Sequence, residues 1–140
     1  ARVEDILDGI EPGEGPAKPR FADLCETLGL SAKEAQGLGE ALRIGQGRAF
    51  QVLSLPDETG KKPLEAIVTF EALPESERGR AFEAFLAQLG RTIPGRDETY
   101  AEALERIKRD MRESIRKALT PEQFRAFDAI GLDLLDIQMD

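Results

Sequence analysis

The chain has no histidine and a single cysteine. Without imidazole there is no Ser/His or Cys/His nucleophile pair, no histidine general base and none of the usual zinc sites. A di-iron carboxylate bundle needs Glu-x-x-His on two helices and falls with them. Glu102 and Glu105 form a Glu-x-x-Glu pair, but Arg106 and Arg109 follow each at i,i+4. That spacing marks an exposed, ion-paired helix face rather than a ligand set. Asp128, Asp133, Asp136 and Asp140 gather near the C-terminus at spacings that match no calcium loop, and read as a solvated acidic tail. Gly37-Leu38-Gly39-Glu40-Ala41-Leu42 lacks the third glycine and the preceding strand of a dinucleotide fingerprint. Gly45-Gln46-Gly47-Arg48 would suit an anion nest, but it falls inside a helical pattern without a phosphate-binding lysine, and reads as structural. Cys25 shares the apolar side of a short helix with Phe21 and Leu28; Asp23 and Glu26 are the wrong sign to activate a thiol, so a small buried hydrophobe is expected. No catalytic residue, cofactor or metal site is expected, and no enzymatic activity.

The most regular polar pattern is a pair of helix starts. Leu30-Ser31-Ala32-Lys33-Glu34 and Leu119-Thr120-Pro121-Glu122-Gln123 place a hydroxyl after a Leu and a Glu or Gln three residues later. This is a capping box: the hydroxyl accepts from the N–H three residues on, and Glu34 or Gln123 reaches back to the cap's own N–H. Pro121 suits a first turn, where its missing N–H costs nothing.

Helical spacing of apolar residues supplies the elements around these caps. Residues 21–28 form a short helix stopped by Gly29. A long helix runs from Ser31 to about Leu53 with Leu38, Leu42, Ala49, Val52 and Leu53 inside. It contains Gly37, Gly39, Gly45 and Gly47, each unfavourable by roughly 1 kcal/mol relative to Ala. Close helix approach explains them, or else the helix kinks near Gly45-Gln46-Gly47. After a turn at Leu55–Gly60, Pro63 opens a helix through Leu64–Phe70 to Leu73; Ile67-Val68-Thr69-Phe70 has β character but no second strand to pair with. Pro74 begins a helix to Leu89 with Phe82, Phe85, Leu86 and Leu89 as its stripe. Asp97 caps a helix from Glu98 to Ala118, with Leu104, Ile107, Met111 and Ile115 inside and Glu102–Arg106, Glu105–Arg109 and Glu113–Lys117 as i,i+4 pairs. The last helix follows Thr120 with Phe124, Phe127 and Ile130, until Gly131 breaks the pattern. Phe82, Phe85, Phe124 and Phe127 read as core.

The expected fold is all-α: a helical hairpin or bundle of five or six helices with an N-terminal arm. Residues 1–10 place Val3, Ile6, Leu7 and Ile10 on one helical face, and residues 11–20, with three Pro and two Gly, read as a linker. Residues 21–140 then form a single helical domain. The arm must dock on this body or on a partner, so these four residues are the candidate partner-binding set. An apolar groove or dimer seam is expected between the Ser31–Leu53 and Glu98–Ala118 helices.

A net charge of −8, with 33% charged residues, argues against nucleic acid and anionic lipid as partners. The longest apolar runs are too short to span a membrane, and no segment reads as a signal peptide. The chain begins with Ala, as a processed or trimmed form would.

The twin motif resembles the LTXXQ motif of the Spy/CpxP family, which includes envelope zinc- and nickel-responsive proteins; in that family it occurs twice, near each end of a helical hairpin. Leu119-Thr120-Pro121-Glu122-Gln123 matches it, and Leu30-Ser31-Ala32-Lys33-Glu34 stands in the expected place with Ser for Thr and Glu for Gln. The resemblance covers roughly residues 21–130. It implies an extracytoplasmic, often dimeric protein that acts as a chaperone or stress sensor in the periplasm or envelope. The chain departs from the family in its acidity, against a basic cradle, and in lacking the metal-binding histidines. The function expected is a chaperone-like or sensory domain that binds a protein partner or itself; the alternative is a helical scaffold module, cytoplasmic or otherwise, with neither activity.

Overall fold

Apolar residues at three- and four-residue intervals dominate this chain, and helices follow them. A computed structural model describes residues 19–70 and 72–139. Among these residues it contains six α-helices and no strand: α1 (Phe21–Leu28), α2 (Ala32–Leu53), α3 (Pro63–Phe70), α4 (Glu75–Leu89), α5 (Tyr100–Ala118) and α6 (Pro121–Ile130). The N-terminal arm, with Val3, Ile6, Leu7 and Ile10, lies outside the described residues. None of the described helices is long and apolar enough to cross a membrane.

Two boundaries differ from expectation. The helix read as starting at Glu98 under an Asp97 cap begins at Tyr100. Thr99 is the actual cap: its Oγ1 accepts from Glu102 N at 3.0 Å, and its own N–H donates to the Glu102 carboxylate at 2.8 Å. Glu102 therefore belongs to a third capping box. Arg106 pairs instead with Glu98, at 2.8 Å. Helix α3 forms despite its β-branched run, but ends at Phe70 rather than Leu73.

The described residues divide into two compact units, one of residues 19–47 and 107–139, the other of residues 48–106. Helices α2 and α5 contribute one end to each. In the first unit, α2 and α5 meet where glycine removes the side chain between them. A Cβ on Gly45 would stand 2.1 Å from Cγ and Sδ of Met111, and one on Gly37 2.9 Å from Cβ of Ala118. The α2 helix is continuous through Gly45-Gln46-Gly47, so close approach, not a kink, is the reason for Gly45. Gly47 differs: nothing lies within 4 Å of its would-be Cβ. The approach expected of a dimer seam is thus used inside one chain. Leu38, Leu42, Ile107, Met111, Ile115 and Phe127 are buried in this unit, each contributing about 1.5–3 kcal/mol.

In the second unit Phe85 and Leu89 face inward from α4, which packs with α3, but Leu86 is exposed. Leu86 lies one residue, about 100°, round the helix from Phe85. Tyr100, fully buried at 0% exposure, donates its hydroxyl to the carbonyl of Leu55 at 2.7 Å. The loop before α5 closes through Ile93 N–H to Glu98 O at 2.9 Å.

Candidate functional site

Ser31 and Thr120 sit directly before α2 and α6 and cap them as their sequence pattern requires. Thr120 is extended (φ −68°, ψ 158°). Its Oγ1 accepts from Gln123 N at 3.1 Å, and its N–H donates to Gln123 Oε1 at 2.9 Å. Ser31 repeats the arrangement: Oγ accepts from Glu34 N at 3.1 Å and N–H donates to Glu34 Oε1 at 2.9 Å. Leu119 is buried and Leu30 half-buried, so each box has an apolar residue before it.

The two boxes are joined. Gln123 Nε2 donates to Glu34 Oε1 at 3.0 Å across 89 residues of chain. Glu34 Oε1 thus accepts from the Ser31 amide and the Gln123 amide together. These bonds, that from the Ser31 backbone first and that from Gln123 second, hold the Glu34 carboxyl below the usual range, against a smaller opposing effect of burial. The six motif residues Leu30, Ser31, Glu34, Leu119, Thr120 and Gln123 thus belong to one local structure.

A second assembly lies in the same unit. After α6 ends at Gly131, in left-handed backbone (φ 73°), residues 132–139 run as an irregular strap. Leu134 and Ile137 are buried along it. Gln46, between the two glycines of α2, donates from its single Nε2 to the carbonyls of Leu134 (3.1 Å) and Ile137 (2.9 Å). The strap's end pairs with the start of α1: Gln138 N–H donates to Pro19 O at 2.8 Å, and Phe21 N–H to Gln138 O at 2.9 Å. Half-buried Lys108 lies near Asp133; burial lowers its pKa, and the charge of Asp133 opposes that.

This corrects the reading of an acidic, solvated tail. Asp128 pairs with Arg112, and Asp133 accepts from Leu135 N at 3.0 Å; Asp140 lies outside the described residues. Among the described residues no group of three His, Cys, Asp or Glu is placed to hold a metal ion. Cys25 is half-buried, and burial raises its pKa. Glu113 pairs with Arg116, with Lys117 adding a lesser Coulombic attraction.

The second unit holds a buried carboxylate that the sequence reading passed over. Asp57 is 7% exposed. Its Oδ1 accepts from the Thr59 hydroxyl (2.6 Å), Thr59 N (2.8 Å) and Lys61 N (3.0 Å), and its Oδ2 from Gln88 Nε2 (3.1 Å). The Thr59 hydroxyl does most to hold its pKa down to about 2, with the amides of Lys61, Thr59 and Gln88 adding and burial opposing. Every bond closes the 57–61 turn or ties it to α4, which makes Asp57 a structural anchor.

Two missed residues had sequence signals. Thr99-x-x-Glu102 is as regular a capping box as the other two, and Asp97 masked it. Gln46 is a polar residue in an otherwise small-residue stretch of helix, the place where an amide can reach a passing backbone. Ile44, Phe50, Val68, Leu86 and Ile130 remain as exposed large apolar residues.

No protein-family model matches the chain, and neither the curated proteins nor the solved structures contain a significant match.

Proposed function

We propose that the chain is a non-catalytic helical domain of the cell envelope that binds a protein partner, chaperone-like or sensory in kind. The observation that supports this reading is the Gln123–Glu34 hydrogen bond. Two motif copies so far apart in sequence form a single structure, as paired copies with one purpose should. Exposed Ile44, Phe50, Val68, Leu86 and Ile130 offer apolar contacts of the kind an unfolded client or a partner helix uses. The arm of residues 1–10 is a further partner-binding element in this reading.

Light scattering of an aggregating client protein tests it. Suppression of aggregation at near-stoichiometric chain supports the chaperone-like form. No suppression, together with recovery of the full gene product in the cytoplasm on fractionation, removes the envelope reading. The alternative, a helical scaffold module, draws support from the net charge of −8, which is opposite to a basic client cradle. A stable stoichiometric complex with one partner and no client protection would favour it.

A further inference from the structure

We draw no further inference here: the strongest candidate, the exposed apolar surface at Val68 of α3 and Leu86 of α4 on the packed helix pair of the second unit, carries none because nothing in the structure shows what covers it.

Discussion

Gly45 and Gly47 lie two residues apart on α2, and the same substitution should act on them unequally. In both, alanine removes glycine's helix-interior penalty, worth about 1 kcal/mol. At Gly47 nothing lies within 4 Å of the new Cβ, so Gly47→Ala should be stabilising by that amount. At Gly45 the Cβ would meet Cγ and Sδ of Met111 at 2.1 Å and its Cε at 2.6 Å. Met111 is 2% exposed and its Cγ sits close to the α5 backbone, so the clash cannot be relieved by swinging a free end into solvent. Overpacking of this kind costs about 1–3 kcal/mol. The difference between the two variants cancels helix propensity and isolates packing, at about 1–3 kcal/mol in favour of Gly47→Ala. In urea that is a midpoint separation of roughly 1 M. Met111→Ala, normally a loss of about 2–5 kcal/mol, should cost clearly less in the Gly45→Ala background, because it removes the atoms in conflict. Equal stabilisation by the two alanines, or a Met111→Ala cost unchanged by Gly45→Ala, would refute the α2–α5 packing described here.

Thr120→Ala and Ser31→Ala should each cost about 1 kcal/mol, since each removes a first-turn acceptor. Because Gln123 and Glu34 join the two caps, the double variant should cost less than the sum in urea titrations; strict additivity would show the boxes to be independent. Gln123→Glu should set a second carboxylate against Glu34, destabilising the protein at neutral pH, with the loss recovered on acidification as one of the pair takes a proton. A penalty that persists at pH 4 would show that charge is not its cause. Asp57 has a folded pKa of about 2, below its unfolded value, so its contribution is full above the ordinary aspartate range and is lost as pH falls toward 2. Asp57→Asn should flatten the acid limb of the thermal-stability profile relative to the parent, and an unchanged limb would assign acid unfolding to other groups.

Helix existence was legible because it rests on local patterns: the apolar period, the caps and the glycine stops all lie within a turn or two of the element they define. Even α3 followed, since a β-rich run with no partner strand has nowhere to send its backbone hydrogen bonds. What the chain order hides is which local signals meet. Nothing in Gly45-Gln46-Gly47 shows that the first glycine faces Met111, the third faces open space and the amide between them holds residues 134 and 137. Leu86 belongs to a four-residue stripe, but only contact with a neighbour decides which edge of a stripe is buried. Asp57 reads as an ordinary turn residue until Gln88, 31 residues on, supplies its last bond.

The departure of the first motif copy from the second, Glu34 in place of Gln, has a physical use. At the junction Gln123 must do two things: its amide oxygen accepts from Thr120 N–H, and its amide nitrogen donates outward. The opposing residue needs to accept twice, from Ser31 N–H and from that nitrogen, and has nothing to donate. A carboxylate is an acceptor only, and fills that role without an unused donor. Two glutamates would repel, and two glutamines would leave N–H groups to be satisfied elsewhere. The mixed pair matches one donor to one charged acceptor, the stronger class of hydrogen bond. The residue that loosens the match between the two copies is thus one that strengthens the bond between them.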